Sequence, residues 1–280
     1  MIYHFGLAGF PLVSSLSPCI HQTALKSTGL VGDYKLFPLK SGSSFERLLL
    51  LLRQGDLHGL NVTIPHKQTV FSMVDQLSPT AQMSGAVNTV FMRNDKLVGD
   101  NTDVVGFLTD LHEKIGSKVE NKNVLILGAG GAARAVVIGL LSVGWKVSVS
   151  ARKSEQAQKL VNDLSPWARE GYLSDLPLDG AILSEEIAKF SLVVNASSAG
   201  MYPNVFDDPL PESVPVPEGV VLYDLIYNPI ATVLMRRFRK AGNPAHNGLG
   251  MLIEQGALSF ELWTGRHVNR QVLWDAVENQ

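Results

Sequence analysis

Short apolar segments alternate along almost the whole chain with longer segments in which apolar residues recur at helical spacing. This alternation restricts the fold more than any other feature, because strands and helices in that order favour a mostly parallel sheet covered by helices on both faces. The predicted strands are Tyr3–Ala8, Asp33–Leu39, Gly59–Thr63, Ala86–Arg93, Lys96–Gly99, Val124–Leu127, Val147–Ser150, Leu192–Asn195 and Val220–Asp224. The predicted helices are Pro18–Ser27, Phe45–Arg53, Lys67–Gln76, Asp103–Ile115, Gly130–Leu141, Glu155–Leu164, Thr232–Lys240, Leu249–Trp263 and Val268–Glu278. The pattern predicts an α/β fold.

Chain length and the order of these segments predict two domains. A chain of 280 residues is about twice the size of a typical domain, and a second α/β series begins at Asn123. The segments Ala86–Arg93 and Lys96–Gly99 have the pattern of a hairpin turning at Asn94-Asp95, which would make the first sheet mixed. We therefore expect residues 104–244 to form a doubly wound nucleotide-binding domain. Residues 1–103 and 245–280 would form a substrate domain to which the last helices return.

Bulk composition excludes several classes of protein. A formal net charge of −2 gives no electrostatic basis for binding nucleic acid or an anionic membrane. The longest aliphatic run, Leu48–Leu52, is far too short to span a bilayer. The only cysteine, Cys19, leaves no internal disulfide and is typical of a reducing cytoplasm. The histidines show no paired metal-ligand spacing and Cys19 has no cysteine partner, so we expect no metal. Separately, we expect a small-molecule substrate and either a monomer or a homodimer.

A glycine-rich turn lies between an apolar strand and an amphipathic helix. The run Gly128, Ala129, Gly130, Gly131, Ala132, Ala133 has the spacing G-x-G-x-x-A that binds dinucleotides. Gly128 would permit the tight turn, and Gly130 would let the backbone approach a pyrophosphate at the helix N-terminus. The alternative is a strand-to-helix turn that binds nothing, but the strand before it and the helix after it favour a Rossmann-type site.

The choice of cofactor depends on the segment about 20 residues further on, where an NAD site usually has an acidic residue. Arg152 and Lys153 follow the second nucleotide strand there, and the acidic residue is absent. A guanidinium can bind the 2′-phosphate of NADP through paired hydrogen bonds, and an ammonium adds a point charge. The sequence therefore predicts NADP(H) as the cofactor, unless both cations are ordinary solvated side chains.

Lys67 and Asp103 are candidates for the proton transfer that must accompany hydride transfer to or from an alcohol carbon. Lys67 follows a strand that ends at Pro65, and Asp103 stands at the mouth of a predicted helix. An ammonium can polarise a carbonyl and donate a proton, and a carboxylate can hold it in place. Each residue also has an ordinary interpretation, since a lysine there is often a surface residue and an aspartate there is often a helix cap.

The ordered motifs of the chain resemble those of the shikimate dehydrogenase family over nearly its whole length. The matching stretches are Ser15–Pro18 with His21, Asn61–Lys67, Gly85–Thr89, Asn101–Asp103, Gly128–Arg134, Asn195–Ser198, Tyr223–Pro229, Gly248–Gln255 and Phe260–Trp263. This resemblance implies reversible, NADP-dependent reduction of 3-dehydroshikimate to shikimate, a step of aromatic amino-acid biosynthesis. It also implies Lys67 and Asp103 as the catalytic residues.

The resemblance assigns the remaining site residues position by position. It implies that Ser15 and Ser17 bind the substrate carboxylate, and that Thr63, Asn88 and Gln255 bind the ring hydroxyls with Asn61 and Tyr227 nearby. The implied cofactor positions are Gly128, Ala129, Gly130, Gly131, Ala132, Arg152, Leu225 and Gly248, and Lys153 joins them as the second cation. Short neutral side chains of this kind suit a polyhydroxy acid. Ser15 or Ser17 could also cap the helix at Pro18, and Gln255 could be a buried amide bonded to backbone.

Two other functions remain open from the sequence. Ala151-Arg152-Lys153 departs from the Asn-Arg-Thr that is common at this place in the family, which leaves the cofactor preference open. One alternative is therefore an NAD-dependent quinate/shikimate dehydrogenase, although Ser15 and Ser17 favour shikimate. The other is a non-catalytic NADP-binding regulator on the same fold. A regulator would not need both Lys67 and Asp103, so their joint presence favours an enzyme.

Overall fold

The computed structural model describes residues 1–40, 45–116, 119 and 121–279. The chain divides into two compact units. The first unit comprises Met1–Gly106 and Leu252–Gln280, and the second comprises Phe107–Met251. The first unit is thus built from two separate stretches of chain, whereas the second is one continuous stretch.

The first unit contains a mixed sheet with helices. Its strands are β1 (Tyr3–Gly9), β2 (Gly32–Pro38), β3 (Gly59–Val62), β4 (Gln76–Leu77), β5 (Thr89–Arg93) and β6 (Lys96–Asp100). Its helices are α1 (Ser17–Ser27), α2 (Phe45–Gln54), α3 (Lys67–Phe71), α4 (Pro79–Ser84) and α11 (Arg270–Glu278). Helices α5 (Asp103–Ile115) and α10 (Leu249–Thr264) each begin in one unit and end in the other.

The strand order of this sheet is β2-β1-β3-β5-β6-β4. Strand β1 is parallel to β2 and β3, whereas β5 is antiparallel to both β3 and β6. The β5–β6 hairpin turns at Asn94 and Asp95, whose φ angles of 51° and 59° match the twist of the strands. Phe45 and Leu52 of α2 pack with Leu60 of β3 in the apolar core on one face. The sheet thereby brings the ends of β3 and β6, which carry functional residues, into one region.

The second unit contains a parallel sheet. Its strands are β7 (Asn123–Leu127), β8 (Lys146–Ser150), β9 (Leu173–Asp175), β10 (Leu192–Asn195), β11 (Val221–Asp224) and β12 (Ala245–Asn247). Its helices are α6 (Gly131–Ser142), α7 (Ser154–Leu164), α8 (Gly180–Glu186) and α9 (Val233–Lys240). The strand order is β12-β11-β10-β7-β8-β9, and neighbouring strands are parallel.

Parallel pairing places the carboxyl ends of these strands along one edge of the second sheet. The chain runs outward from β7 to β8 and β9, and then returns to β10 on the other side of β7. Ligands of open α/β sheets bind at the carboxyl edge where the strand order reverses in this way. Strands β7 and β10 are almost completely buried, because they lie in the centre of the sheet with helices on both faces.

The predicted fold class is confirmed: a mixed α/β unit is combined with a Rossmann-type doubly wound unit, and the C-terminal helices return to the first unit. The predicted helix Lys67–Gln76 is wrong beyond Phe71. Asp75 N donates to Leu97 O, and Gln76 and Leu77 pair with β6, so this stretch joins the sheet instead. A continuing helix would have left the exposed edge of β6 without a partner.

The short elements β4, α4, β9, α8 and β12 were not predicted, because each is too short to show a period. Strand β12 follows the predicted domain boundary at 244/245 and was therefore assigned to the substrate domain. It pairs with β11 and therefore belongs to the second sheet, so residues 245–251 lie in the second unit.

Candidate active site

Lys67 is held at the end of a tight turn in the first unit. Strand β3 ends at Val62, His66 N donates to Thr63 O at 3.0 Å, and Lys67 is the first residue of α3. Val87 N donates to Lys67 O at 2.8 Å, which ties the lysine backbone to the segment before β5. The turn thus fixes the direction in which the lysine side chain leaves the backbone.

Asp103 is fixed by the residues between β6 and α5. Asn101 is fully buried, and its Nδ2 donates to Ala86 O at 2.9 Å and to Ser84 Oγ at 3.0 Å. Its Oδ1 accepts a hydrogen bond from Asp103 N at 3.1 Å. Asn101 therefore holds the backbone at the start of α5, which leaves the Asp103 carboxylate free for other partners.

Lys67 and Asp103 form a buried ion pair. Lys67 Nζ lies 2.5 Å from Asp103 Oδ2, and the two side chains are 13% and 5% exposed. Lys67 is not an ordinary surface lysine, because its side chain is mostly buried. Asp103 is not an ordinary helix cap, because its carboxylate binds the side chains of Lys67 and Asn88. Shielding from water strengthens the attraction between the two charges. The pairing predicted across 36 positions is present.

Asn88 orients the second oxygen of Asp103. Thr102 N donates to Asn88 Oδ1 at 2.8 Å, so the amide nitrogen must face the opposite way. Asn88 Nδ2 lies 2.9 Å from both Asp103 Oδ1 and Thr102 Oγ1, and 3.3 Å from Gln255 Oε1. An amide nitrogen has only two hydrogens for these acceptors, so the contact with Gln255 is the weakest.

Gln255 and Asn61 extend the same network. Gln255 Nε2 donates to Leu252 O at 2.7 Å, so this buried amide is bonded both to backbone and to the site. Asn61 Nδ2 donates to Ser259 Oγ at 3.0 Å, and Ser259 Oγ lies 3.1 Å from Thr102 Oγ1. Sequence reasoning missed Ser259 and Thr102. Ser259 could have been found because it lies four positions after Gln255, on the same helical face.

Ser15, Ser17 and Thr63 lie at chain turns of the first unit. Ser17 is the first residue of α1, and the N-cap is Leu16, so the alternative in which Ser17 is the N-cap is not observed. Ser15 Oγ accepts a hydrogen bond from Ser17 N at 3.3 Å. Thr63 directly follows β3 and is half-buried, with its methyl group against Gly9. Within the described residues, no hydrogen bond joins these hydroxyls to the Lys67–Asp103 pair.

His21 of α1 is a neutral, buried member of the same unit. Its ring stacks on Tyr34 with centroids 4.3 Å apart, and on Trp263 at 5.1 Å. Burial lowers the pKa of His21 to about 3, with a smaller opposing effect from Asn61. Tyr34 OH in turn donates to Asn61 Oδ1 at 2.8 Å. His21 therefore packs against the tyrosine ring whose hydroxyl group holds Asn61.

The arrangement around Lys67 suits proton transfer to an oxygen atom. A mostly buried ammonium is held by a carboxylate whose two oxygens are both engaged, so it need not reorganise to meet a developing negative charge. The amides and hydroxyls nearby are neutral groups that can recognise hydroxyl groups of a ligand.

The predicted cofactor residues gather at the carboxyl edge of the second sheet. Gly128 follows β7 with a φ of +118°, and a Cβ there would lie 2.8 Å from Ala196 C and Ser197 N. Only glycine allows the turn after β7 to pack so closely against the loop after β10. These are the two central strands at which the order reverses.

The N-terminus of α6 is open at the same place. Gly130 is the N-cap and provides no side-chain cap, and a Cβ built on it meets nothing within 4 Å. Backbone N–H groups of Gly131 and Ala132 lie in the first turn of this helix, where the helix dipole favours an anion. Space, free donors and positive potential together fit a pyrophosphate group.

Arg152 and Lys153 follow β8 and are exposed. Neither has an ion-pair partner among the described residues. Lys153 is the N-cap of α7 in an extended conformation and makes no cap hydrogen bond. Both cations are therefore available to bind a phosphate, and no neighbouring acidic side chain competes for them.

Leu225, Tyr227 and Gly248 complete the edge in the second unit. Leu225 and Tyr227 follow β11, and Gly248 follows β12. A Cβ at Gly248 would clash with Leu225 O, so the two loops touch at a position that excludes any side chain. The sequence analysis grouped Tyr227 with the substrate residues. Because Tyr227 belongs to the second unit, whereas the other substrate residues belong to the first, this grouping stays a prediction.

Among the described residues we find no helical segment with the length and apolar character that crossing a bilayer requires.

Comparison with known proteins gives consistent matches along the chain. Residues 7–90 match the shikimate dehydrogenase substrate-binding domain, and residues 248–278 match the shikimate 5′-dehydrogenase C-terminal domain. The NADP(+)-dependent shikimate dehydrogenase of Methanocaldococcus jannaschii is 36% identical over 272 residues, which are 97% of this chain and 95% of the relative.

Solved structures give matches of the same extent. Shikimate 5-dehydrogenase from Thermus thermophilus in complex with NADP(H) and shikimate has a TM-score of 0.84 and 34% identity, covering 99% of both chains. Quinate dehydrogenase from Corynebacterium glutamicum in complex with NAD has a TM-score of 0.88 and 27% identity, also covering 99% of both chains.

Proposed function

The chain belongs to the shikimate dehydrogenase family, and we propose that it is an NADP-dependent oxidoreductase that reversibly reduces 3-dehydroshikimate to shikimate. The observation that carries this proposal is the buried Lys67–Asp103 pair, with Nζ and Oδ2 2.5 Å apart beside Asn88. A regulator that only bound ligands would not need an ammonium held in this way. The matched proteins from Methanocaldococcus jannaschii and Thermus thermophilus carry this activity in their names.

Lys67 acts on the oxygen atom of the reacting carbonyl. NADPH, when bound, supplies the hydride for the ketone carbon. The Lys67 ammonium donates a hydrogen bond to the carbonyl oxygen, stabilises the negative charge that develops there, and transfers a proton to form the alcohol. In the oxidising direction the neutral amine takes that proton back. Asp103 keeps Nζ in place and stabilises its charged form.

Neutral side chains, all of them in the first unit except Tyr227, recognise the rest of the substrate. Ser15 and Ser17 bind its carboxylate, and Thr63, Asn88 and Gln255 bind the ring hydroxyls, with Asn61 and Tyr227 as supporting contacts. Asn88 also holds Asp103 at 2.9 Å, so it links substrate recognition to the catalytic pair. A site built from such groups rejects analogues that lack a hydroxyl, because a buried donor or acceptor would be left unpaired.

The carboxyl edge of the second unit binds NADP(H). The turn Gly128–Ala132 and the N-terminus of α6 receive the pyrophosphate, Arg152 and Lys153 bind the 2′-phosphate, and Leu225 and Gly248 complete the cofactor site. The support for this assignment is the open space at Gly130 and the absence of an acidic partner for Arg152 among the described residues. We place the reaction in the cytoplasm, where the single Cys19 stays reduced, and the active species is a monomer or a homodimer.

A steady-state assay of the purified protein tests the proposal directly. Reduced nicotinamide is followed by its absorbance with shikimate or quinate as substrate and NADP or NAD as cofactor. We expect the highest kcat/KM with shikimate and NADP. Higher kcat/KM with quinate and NAD would instead identify a quinate dehydrogenase, and tight NADPH binding without turnover would identify a regulator.

A further inference from the structure

A single buried carboxylate in the second unit joins the segments that surround its nucleotide-binding edge. Asp224 is the last residue of β11 and is fully buried. Its Oδ1 accepts hydrogen bonds from Asn195 Nδ2 and Ile226 N, each 3.0 Å long. Its Oδ2 accepts a hydrogen bond from Thr232 Oγ1 at 2.7 Å. These donors belong to the end of β10, the loop after β11, and the start of α9.

Asn195 connects Asp224 to the loop after β10 through hydrogen bonds on both sides of its amide group. The two residues lie opposite each other in the β10–β11 register. Because only an amide nitrogen can donate to the carboxylate, Asn195 Oδ1 must face the loop, where it accepts hydrogen bonds from Ser197 N at 3.0 Å and Ser197 Oγ at 2.7 Å. Asn195 Nδ2 also donates to Ala199 O at 3.2 Å. The loop is thus folded around one amide group.

This loop is the surface on which the glycine turn rests. Ala196 C and Ser197 N are the atoms that a Cβ at Gly128 would approach to 2.8 Å. Gly128 N is itself held by Ser150 O at 2.7 Å. A shift of the loop after β10 would therefore displace the turn that presents backbone N–H groups to a pyrophosphate.

Thr232 connects the same carboxylate to α9. Thr232 Oγ1 accepts a hydrogen bond from Met235 N at 3.2 Å, so it is the N-cap of α9 while donating to Asp224. The loop between Asp224 and Thr232 contains Leu225 and Tyr227. Both ends of that loop are thereby fixed by one side chain.

Both oxygens of Asp224 accept hydrogen bonds, and this arrangement favours the ionised carboxylate. Burial raises its pKa to about 6, while the hydrogen bonds from Thr232, Ile226 and Asn195 oppose that rise. Hydrogen bonds to an ionised acceptor are shorter and roughly twice as strong as those between neutral groups.

We infer that Asp224 is a positioning residue for the dinucleotide, which acts through Asn195 and Thr232 and holds the loops after β10 and β11 in the shape that binds NADP(H). The inference rests on the proposed function only in taking NADP(H) as the ligand. Asp224 makes its hydrogen bonds within the protein, so its effect belongs to cofactor affinity and not to the chemistry at Lys67.

The test measures the NADPH dissociation constant by nicotinamide fluorescence, together with kcat and both Michaelis constants, in the full chain. Asp224→Ala should raise the dissociation constant and KM for NADPH about tenfold or more, since hydrogen bonds to charged groups are lost. The kcat at saturating NADPH and the KM for shikimate should change less than about threefold. Thr232→Val should raise the dissociation constant about threefold to tenfold, and Thr232→Ser should restore it, because serine keeps both hydrogen bonds.

Asn243 provides a matched control at the opposite edge of the same sheet. It is 4% exposed, its Oδ1 accepts from Gly219 N at 2.8 Å, and its Nδ2 donates to Pro217 O at 2.9 Å. Asn243→Ala therefore removes a buried polar connection before β12 instead of after β11, and NADPH affinity should stay at the wild-type value.

Each outcome of this experiment separates the two proposals. Wild-type NADPH affinity in Asp224→Ala, or equal losses in Asp224→Ala and Asn243→Ala, would overturn the positioning role while leaving the enzyme assignment intact. If Asp224→Ala does not fold, the Thr232→Val and Thr232→Ser pair decides the question, and equal affinities for the two would overturn the inference. A wild-type protein that neither binds NADPH nor turns over shikimate would refute the proposed function itself.

Discussion

The two units prepare their ligand-binding surfaces in opposite ways. In the first unit, Lys67, Asp103 and Asn88 are buried or nearly so and are bonded to one another before any ligand arrives. In the second unit, Gly130 and Arg152 are exposed and have no side-chain partner among the described residues. The chemical step needs a fixed ammonium, whereas a large anionic cofactor needs accessible backbone N–H groups and unneutralised cations. Side chains therefore dominate the first site, and backbone geometry dominates the second.

Removing the ammonium should give the largest effect. Lys67→Ala should lower kcat by about 10²–10⁴-fold, because general acid–base catalysis typically contributes that much. The NADPH dissociation constant should not change, because the cofactor residues belong to the second unit. Steady-state kinetics and fluorescence titration check both statements, with the exposed Lys189→Ala as the control. Near-normal turnover would remove Lys67 from the mechanism.

Arg152 tests whether the second unit selects NADP through exposed charge. Arg152→Ala should raise the KM for NADP roughly tenfold and leave the KM for NAD unchanged, because only NADP carries the 2′-phosphate. The control is Arg169→Ala, which removes an exposed arginine before β9, at the opposite edge of the sheet. Parallel changes in both Michaelis constants would show that Arg152 does not read the 2′-phosphate.

Alanine substitutions at two glycines distinguish the effect of backbone strain on stability from the effect of a blocked site on NADPH binding. Gly128→Ala should lower the free energy of unfolding by about 1–3 kcal/mol, since a φ of +118° and a backbone atom at 2.8 Å both oppose a side chain. Gly130→Ala should leave stability within about 0.5 kcal/mol and still weaken NADPH binding severalfold. Urea unfolding and fluorescence titration provide the two readouts. Unchanged NADPH affinity in Gly130→Ala would argue against a pyrophosphate at this turn.

Lowering the pH should change the free-energy contributions of two buried groups, one in each unit, in opposite directions. His21 has a pKa of about 3 in the folded protein, against an ordinary value of 6.5, so its contribution to stability is lost as the pH falls between these values. The loss is at most about 1.4 kcal/mol per pH unit. Asp224 behaves oppositely, because its raised pKa gives a contribution that is present below 3.8 and lost as the pH rises through about 6.

The His21→Phe variant keeps a ring between Tyr34 and Trp263 and cannot be protonated. Its free energy of unfolding, measured in urea from pH 7 to pH 4, should fall less steeply than that of the wild-type protein. Superimposable pH dependences would mean that the imidazole is not the group that destabilises the first unit in acid.

Much of the architecture could be predicted from the sequence because the long elements have clear periods. Helices such as α5 and strands such as β7 were predicted almost to the residue. The two-residue strand β4 and the three-residue strand β12 could not be, since they owe their conformation to pairing with β6 and β11. The family assignment is confirmed by matches over nearly the whole chain.

The candidate site was predicted residue by residue together with the Lys67–Asp103 pair, but the other hydrogen bonds within it were not predicted. Lys67 and Asp103 lie far apart in sequence, and only the pairing of β3 with β5 and of β5 with β6 brings them together. Ser259 and Asp224 escaped notice because a serine on an apolar helix face and an aspartate at a strand end have no local signature. Their roles follow from hydrogen bonds that only the tertiary structure creates.

The division of the first unit into two stretches of chain has a consequence for biosynthesis. The polar network around Asn88 is closed by Gln255 and Ser259, which lie 153 and 157 positions after Thr102 and are made after the whole second unit. The second unit is continuous and can begin folding on the ribosome as soon as it emerges, while the first must wait for α10. A nascent chain should thus acquire its dinucleotide-binding edge before its catalytic pair is fully supported.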